Sequence, residues 1–320
     1  MQSALYFDWN EDMISVIIAT HNRSDKLPAL LKSIQQLESD RDLAYEIIIV
    51  DNNSSDDTHQ VVRTYSNNSS FHIKYIFERL QGNNYARNRA LAEAKGGILA
   101  FTDDDCIVDP KWLRQIARKF ALEPHLACLG GRVELYDKND RAITIRTWDD
   151  EIEVKSAEQL YRLIIGCNMA IRRNVFDEIG SFDPAFGPGS KIGSGGDSEF
   201  LYRAYKKGLI IKYYPDIIVY HNHGRKTEAD VKALGKRYVR GRGGFYCKYM
   251  LQGDRAIMKM ALHELTLPAK NLIKNVFLTQ SRKLQWRVTW GLILGVMRAL
   301  PIFLRRAVVS RLRPTFGDPW

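Results

Sequence analysis

Four short apolar runs, rich in β-branched residues, punctuate the first hundred residues of this chain. They occupy residues 14–19, 46–50, 73–77 and 98–102. Longer stretches with helical spacing separate them, near residues 26–37, 58–65 and 85–94. Strands that alternate with helices in this way predict an α/β fold, with a mostly parallel sheet built from βαβ units.

Each apolar run ends in a polar cluster. The clusters are THNR, DNNSSDD, ERLQGNN and DDDC, in chain order. In open α/β sheets, ligands bind beyond the carboxyl ends of the strands. We therefore expect the four clusters to face one crevice.

The pattern becomes less regular after Pro110, where a helix leads into the strand CLGGRVEL and residues 136–160 have no secure assignment. Residues 166–172 and 210–223 predict further strands, and residues 197–206 predict a helix. A glycine-rich stretch at 181–196 predicts a mobile loop. Beyond Arg225 the pattern is helical, with glycines near 241–244 that could turn the chain. We predict two domains, 1–223 and 224–320.

The net charge of +10 is concentrated in the second predicted domain. Residues 224–320 contain 20 Lys/Arg and 5 Asp/Glu, a net charge of +15, whereas residues 1–223 contain 27 and 32, a net charge of −5. A basic region suits nucleic acid, an anionic membrane or an acidic ligand. No nucleic-acid recognition motif accompanies the charge, so we expect no nucleic-acid partner.

The basic region also contains an apolar stretch at 290–304, which Arg298 and Pro301 interrupt. A spanning helix needs about 20 apolar residues, so the stretch falls short of a clean membrane span. Trp290 and the flanking arginines predict instead an amphipathic helix at the membrane surface. The alternative is a helical cap that packs on the first domain.

Cysteine usage and the amino terminus indicate the compartment. The four cysteines are scattered without C-x-x-C spacing, which favours a reducing environment. The first residues include acids and no long apolar run, so no secretory signal is expected. The predicted location is the cytoplasm, on the inner face of the cell membrane.

The strongest chemical signal is the run Asp103-Asp104-Asp105, directly after the fourth apolar run. Adjacent carboxylates repel one another unless a cation lies among them, and oxygen ligands suit Mg²⁺ or Mn²⁺. The alternative is a solvated acidic turn that caps the following helix.

Several ordered motifs resemble those of the family 2 inverting glycosyltransferases, which have the GT-A fold. The motifs are SVIIATHNR, EIIIVDNNSSDDT, GNNYARNRALAEAKGGILAFTDDD, GCNMAIRR and GGDSEF, across residues 13–223. The resemblance implies a Rossmann-like GT-A domain and a nucleotide-sugar donor, with a UDP-sugar favoured. It also implies Asp51 as the acceptor of the base's ring N–H. The implied donor-binding residues are Thr20, Asn22, Arg23, Asp51, Asn53, Gly82, Arg87, Asp103 and Asp104.

Two of these donor residues have other interpretations. Asp51 could cap a turn within DNNSSDD without any ligand. Arg87, in the first turn of a helix, suits a diphosphate but could equally be a surface cation.

The resemblance also implies a metal site. The family's D-x-D signature corresponds to Asp103 and Asp105, which would bind Mn²⁺ or Mg²⁺. A histidine after the last strand often completes such a site, and His221 and His223 are the candidates, with His221 favoured. We expect the two rings to point to opposite faces, so that only one faces the crevice.

The family's catalytic base lies in a pattern like G-E-D-x-E-F. Here the segment is GGDSEF, so Asp197 takes the base position and Gly196 replaces the usual glutamate. Glu199 is the second candidate, and the alternative for Asp197 is a helix N-cap. Asn168 and Trp148 are further candidates for the acceptor side.

Together these features predict a metal-dependent inverting glycosyltransferase. The predicted acceptor is a lipid-linked or glycan hydroxyl in polysaccharide or envelope assembly. The rival functions are a sugar nucleotidyltransferase and a non-catalytic, membrane-associated sugar-nucleotide binder.

Overall fold

A computed structural model describes residues 10–38, 43–68, 72–274 and 279–312. The strands are β1 Asn10–Thr20, β2 Tyr45–Asp51, β3 Ile73–Phe77, β4 Gly96–Asp103, β5 Cys106–Val108, β6 Leu126–Leu135, β7 Ile152–Glu153, β8 Asn168–Arg172 and β9 Ile210–His221. The helices are α1 Leu27–Gln35, α2 Thr58–Asn68, α3 Asn83–Glu93, α4 Trp112–Leu122, α5 Ala157–Leu163, α6 Asn174–Ile179, α7 Gly196–Lys206, α8 Glu228–Leu251, α9 Arg255–Lys274 and α10 Thr279–Leu312.

All of these strands belong to one sheet, in the order β3-β2-β1-β4-β8-β6-β9-β5, with β7 paired to β9. The first four are parallel, as predicted from their alternation with helices. Beyond them the sheet is mixed, because β8 is antiparallel to both β4 and β6. The α/β fold is therefore confirmed.

The strand register places the predicted polar clusters at one edge. Thr20, at the end of β1, is paired with Asp51, and Ala19 is paired with Asp103. On the far side of the sheet, Cys106 is paired with His221. The carboxyl ends of the parallel strands β1, β2 and β4 thus meet at one edge, as expected for a ligand-binding edge.

The core beneath this edge is apolar. Helix α4 buries Trp112, Ile116 and Phe120, the stripe expected from their spacing. The Trp112 indole N–H donates to Asn168 Oδ1 at 2.9 Å, which satisfies a buried polar group. Asn168 also donates to the carbonyls of Arg132 and Ile217, at 2.8 and 2.9 Å. Asn168 is therefore a buried structural residue, and its suggested place beside the acceptor is wrong.

The chain divides into two compact units. The first comprises Met1–Phe182 and Phe200–Lys226, and the second comprises Asp183–Glu199 and Thr227–Trp320. This differs from the predicted boundary at 223, because Gly224 and Arg225 hydrogen-bond to Asp140 and Arg141 within the first unit. Helix α8 then begins after a capping box at Thr227.

The glycine-rich loop differs more from the prediction, because residues 183–199 belong to the second unit. Arg240, on α8, donates to the Ile192 carbonyl at 2.9 Å, and Ser194 Oγ donates to the Arg237 carbonyl at 2.8 Å. These contacts attach the loop to α8.

Helices α8 and α10 pack together in the second unit through glycines. A side chain on Gly243 would overlap the Leu292 carbonyl, and one on Gly295 would overlap the Arg240 carbonyl. The predicted turn near 241–244 is therefore wrong. These glycines lie inside α8 and allow two helix backbones to approach closely.

One helix among the described residues is long and apolar enough to cross a membrane, over Arg287–Val308. The sequence estimate counted residues 290–304 alone and fell short of that length. On α10, Trp290 and Met297 are each 64% exposed. The helix therefore has an unburied apolar surface, although α10 contains Pro301.

Candidate active site

The loop after β2 is attached to the end of β1. The Asn52 backbone N–H donates to the Thr20 carbonyl at 2.8 Å, and the Ser55 N–H donates to Asn22 Oδ1 at 2.7 Å. Asn22 and Asn53 have φ values of 52° and 64°, in the left-handed region that asparagine tolerates better than most residues. The structure thus brings the predicted donor residues of both loops side by side.

Asp51 ends β2 and is buried. Its Oδ1 accepts a hydrogen bond from the Ser54 N–H at 2.9 Å, and its Oδ2 accepts one from the Tyr75 hydroxyl at 2.8 Å. The first is the turn contact that was the alternative to a donor role. Each carboxylate oxygen has two lone pairs, so both atoms retain capacity for a further hydrogen bond.

The next loop is attached to the same place. The Gly82 N–H donates to Asn52 Oδ1 at 2.7 Å, and the Asn52 amide donates to the Leu80 carbonyl at 2.7 Å. Gly82 has a φ of 141°, a backbone conformation that residues other than glycine rarely adopt. Asn52 therefore connects two loops, a role that the sequence reasoning missed although it lies inside DNNSSDD.

Arg87 is 6% exposed, so it is not the surface cation that was the alternative. Its guanidinium lies against the rings of Phe101 and Phe182, 5.6 and 5.5 Å from their centroids. Nη2 donates to the Gly166 carbonyl at 3.2 Å and lies 3.5 Å from Asp103 Oδ1. The packing fixes a positive charge beside the first aspartate of the acidic run.

Asp104 lies between two carboxylates and opposite an arginine. Its Oδ1 is 3.7 Å from Arg23 Nε. Burial, and then the charge of Asp105, raises the pKa of Asp104 to about 8. The acid therefore holds its proton near neutral pH, which is not the behaviour of a solvated acidic turn.

Asp105 is paired with His221. The distance from Asp105 Oδ1 to His221 Nε2 is 3.2 Å, and both side chains are buried. Burial alone would raise the pKa of Asp105, but the hydrogen bond from His221 and its charge lower it to about 2. Burial alone would lower the pKa of His221, and the bond to Asp105 raises it instead, to about 9. Near neutral pH the two groups form an ion pair.

Among the described residues, one cluster of three groups could hold a metal ion: Asp105, Cys106 and His221, whose ligand atoms lie within 4.8 Å of one another. A carboxylate with an imidazole suits Mn²⁺ better than Mg²⁺, which prefers oxygen ligands. Burial raises the pKa of the Cys106 thiol, so it remains protonated. Asp103 and His223 are not members of this cluster.

His223 has a separate carboxylate partner. Its Nδ1 lies 3.3 Å from Asp140 Oδ2 and accepts a hydrogen bond from the Arg225 N–H at 2.9 Å. The centroids of the His221 and His223 rings are only 5.1 Å apart. The prediction that the rings point to opposite faces is therefore wrong, because residues two positions apart in extended backbone lie on the same face.

Other residues around the metal cluster were missed by the sequence reasoning. Thr144 Oγ1 lies 3.0 Å from His221 Nδ1, and the charge of Arg225 helps to lower the pKa of Asp105. Thr144 belongs to the stretch 136–160, which has no periodic pattern, and its φ is 56°. Trp148, from the same stretch, is 40% exposed, and Arg162 lies 5.5 Å from its ring centroid.

The two candidates for the catalytic base belong to the second unit. Asp197 is half-buried in the first turn of α7, and its Oδ1 accepts a hydrogen bond from the Ser198 N–H at 2.8 Å. Helix α7 begins at Gly196, so Asp197 does not occupy the N-cap position. Glu199 is fully buried, and its Oε1 accepts hydrogen bonds from Lys248 Nζ and the Tyr249 hydroxyl, both at 2.8 Å.

Comparisons with known proteins identify the family of the chain. The family model "Glycosyl transferase family 2" matches residues 15–180, and the model "Glycosyl transferase family group 2" matches residues 98–314. Glycosyltransferase AglE of Haloferax volcanii is 27% identical over 210 residues, 65% of this chain and 66% of that protein. The GalNAc(5)-diNAcBac-PP-undecaprenol beta-1,3-glucosyltransferase of Campylobacter jejuni is 42% identical over 94 residues, 29% of each chain. The match thus spans less than two thirds of each of these relatives.

Among solved structures, the fold resembles the mannosyltransferase PcManGT from Pyrobaculum calidifontis in complex with GDP-Man and Mn²⁺. The TM-score is 0.62 at 17% identity, over 90% of this chain and 86% of that one. At this identity the likeness establishes the architecture, which is GT-A. With a family model that matches more than half of its length, the chain belongs to glycosyl transferase family 2.

Proposed function

We propose that the protein transfers a sugar, with inversion, from a nucleotide-sugar donor to an acceptor hydroxyl in a reaction that requires a divalent cation. The observation that carries this proposal is the pair formed by Asp105 and His221 beside the buried Asp104. The chain belongs to family 2, and these three residues lie at the edge of the sheet where α/β proteins bind ligands. The Asp104 carboxyl and the His221 imidazole hold protons that a cation can replace.

In this proposal Asp105 and His221 hold the ion, and Asp103 remains a predicted third ligand. His223 is the weaker candidate, because it is paired with Asp140. When bound, Mn²⁺ or Mg²⁺ offsets the negative charge on the departing diphosphate. Arg87 and Arg23 contribute fixed positive charge beside the same aspartates.

The nucleotide is proposed to bind across the ends of β1 and β2. Thr20 and Asp51 are paired there, and the Asp51 carboxylate has capacity to accept the ring N–H of a base. A uracil ring offers such a donor, which is why a UDP-sugar is favoured. Asn22, Asn53 and Gly82 form the surrounding loops with positive φ values, and the missing side chain of Gly82 would let a ligand approach the backbone closely.

Asp197 is proposed as the general base. As the acceptor oxygen forms its bond to the anomeric carbon, the bond from that carbon to the diphosphate oxygen breaks. The hydroxyl proton passes to the Asp197 carboxylate. Glu199 is less suited to this role, because Lys248 and Tyr249 already hold its carboxylate.

The acceptor is proposed to be lipid-linked or a growing glycan, at the cytoplasmic face of a membrane. The name of the Campylobacter relative includes an undecaprenol-linked acceptor. The exposed apolar side chains of α10, with the net positive charge of this region, favour an anionic membrane surface. Co-sedimentation with phosphatidylglycerol vesicles, but not with phosphatidylcholine vesicles, is the expected result, and equal absence from both would contradict it.

The function can be tested without an identified acceptor, because water can replace the hydroxyl. Release of nucleoside diphosphate is measured from UDP-N-acetylglucosamine, UDP-glucose and GDP-mannose, with Mn²⁺ and with EDTA. One donor is expected to turn over only with the ion, and Asp105→Asn and Asp197→Asn are each expected to lower that rate about 10³-fold. Asp150→Asn, at an exposed position, serves as the control.

Measurements of donor binding distinguish the proposed base, Asp197, from the proposed metal ligand, Asp105. Asp197→Asn should still show the rise in melting temperature that donor and Mn²⁺ cause together, whereas Asp105→Asn should lose the part that depends on Mn²⁺. Wild-type turnover in Asp197→Asn would remove Asp197 from the base role. Consumption of a nucleoside triphosphate with release of pyrophosphate would contradict the glycosyltransferase proposal and indicate a nucleotidyltransferase.

A further inference from the structure

The segment Asp183–Glu199, which carries Asp197, has little intrinsic stiffness. Four of its glycines have positive φ: Gly187, Gly189, Gly193 and Gly195, at 91°, 79°, 96° and 83°. Glycine has the largest conformational freedom to lose on ordering, so a segment of this kind needs external contacts to adopt one shape.

Both ends of the segment are held by one side chain. Lys248 Nζ, on α8, lies 2.8 Å from Asp183 Oδ2 and 2.8 Å from Glu199 Oε1. The side chains of Lys248, Asp183 and Glu199 are 3%, 7% and 0% exposed. A buried charge is stable only when it is paired, so this ammonium group fixes the distance between the two ends of the loop.

Two further contacts complete the arrangement. Arg306, on α10, binds both oxygens of Asp183, at 2.8 and 3.0 Å, in the bidentate geometry that adds directional specificity. The Tyr249 hydroxyl donates to Glu199 at 2.8 Å. Burial would raise the pKa of Asp183, but Lys248 and Arg306 lower it, so the Asp183 carboxylate remains ionised.

Glu199 is two residues from Asp197, in the first turn of the same helix. We propose that Lys248 is a positioning residue of this enzyme, which sets the place of the Asp197 carboxylate by closing the glycine-rich loop between Asp183 and Glu199. This inference rests on the proposed role of Asp197 as base. Lys248 itself touches no reacting atom, and its effect is transmitted through Glu199.

The test uses the purified full-length protein and the donor that turns over fastest among UDP-N-acetylglucosamine, UDP-glucose and GDP-mannose. Lys248→Met is expected to lower kcat about 10²-fold, because small displacements of a catalytic group have effects of this size. The KM for the nucleotide sugar should stay within about threefold, since the nucleotide is proposed to bind elsewhere. Lys248→Arg should recover most of kcat, because it restores the cation.

Lys232→Met is the matched control, since Lys232 is on the same helix but makes an exposed pair with Glu228. It should leave kcat unchanged. If Lys248→Met does not fold, Tyr249→Phe removes one hydrogen bond to Glu199 without leaving a buried charge, and a fall in kcat of about tenfold is expected.

Asp197→Asn, measured alongside, separates the two hypotheses. Wild-type kcat in a folded Lys248→Met or Tyr249→Phe protein, with turnover lost in Asp197→Asn, overturns the positioning role alone. Wild-type kcat in Asp197→Asn overturns the proposed base, and the positioning role with it. Equal falls in kcat for Lys248→Met and Lys248→Arg, with unchanged melting temperature, would also contradict a role for the cation.

Discussion

The two units each contain a cluster of buried carboxylates, but they neutralise the charge differently. In the first unit, Asp104 holds a proton and His221 carries one, with pKa values of about 8 and 9. In the second unit, Asp183 and Glu199 are paired with the side-chain cations of Lys248 and Arg306. Protons can be exchanged for another cation, whereas side-chain cations cannot. The first cluster therefore suits ligand binding and the second suits structural support.

Replacing one carboxyl group in each cluster by an amide tests this difference most directly. Glu199→Gln removes one of the two carboxylates that pair with the buried Lys248. The free energy of unfolding at pH 7 should therefore fall by about 3 kcal/mol. Asp104→Asn resembles the protonated acid of the folded state but cannot ionise in the unfolded chain, so without metal the free energy of unfolding at pH 7 should rise rather than fall. Denaturant unfolding of both variants measures the difference.

The control for Glu199→Gln is Glu228→Gln, which breaks an exposed pair on α8 and should change the free energy of unfolding by less than about 1 kcal/mol. Equal losses from Glu199→Gln and Asp104→Asn would mean that both clusters are structural.

The second prediction concerns α8 and α10, the helices that carry Lys248 and Arg306. Gly243→Ala places a methyl group against the Leu292 carbonyl of α10. The free energy of unfolding, measured by thermal denaturation, should therefore fall by about 2 kcal/mol. Gly235→Ala, on the same helix with no neighbour within 4 Å, should instead increase stability by about 0.5 kcal/mol. A loss of equal size at both positions would argue against the close approach of α8 and α10.

The third prediction concerns the pH dependence of metal binding, which is the smallest of the expected effects. His221 must lose its proton to bind Mn²⁺, so the apparent Kd should rise about tenfold for each pH unit below 9. The proton on Asp104 adds to this slope below pH 8. Titration calorimetry in buffers of different ionisation enthalpy would count between one and two protons released. Binding that is independent of pH would exclude His221 as a ligand.

The same protons give the metal-free protein a pH-dependent stability. Both groups have folded pKa values above their ordinary ones, so the folded state binds more protons than the unfolded chain. The free energy of unfolding should therefore fall as pH rises, between about 4 and 8 for Asp104 and between about 6.5 and 9 for His221.

Local sequence patterns predicted the parallel half of the sheet and its polar edge. β-Branched runs specified β1 to β4, and the residues after them lie together because parallel strands end at one edge. The acidic run after β4 was visible for the same reason. The pairing of Asp105 with His221 depended on β9, more than a hundred residues later, and only the family resemblance pointed to it.

Other parts of the site depended on tertiary contacts that no local pattern contains. Thr144 lies in a stretch without periodicity, and its contact with His221 arises from the fold of the first unit. The glycines near 241–244 suggested a turn from their intrinsic preference, yet contact with α10 places them inside a helix. Lys248 resembles any other basic residue of the tail until its buried partners are known.

The membership of residues 183–199 in the second unit has a practical consequence for anyone who shortens the protein. Deletion after Lys226, a natural choice for a detergent-free fragment, would keep the sheet and the aspartates after β4. It would also strip α8 and α10 from the loop that bears Asp197, and leave Asp183 and Glu199 without Lys248 and Arg306. Such a fragment should bind a nucleotide sugar yet transfer nothing, and its inactivity would then say little about whether the intact chain needs a lipid bilayer.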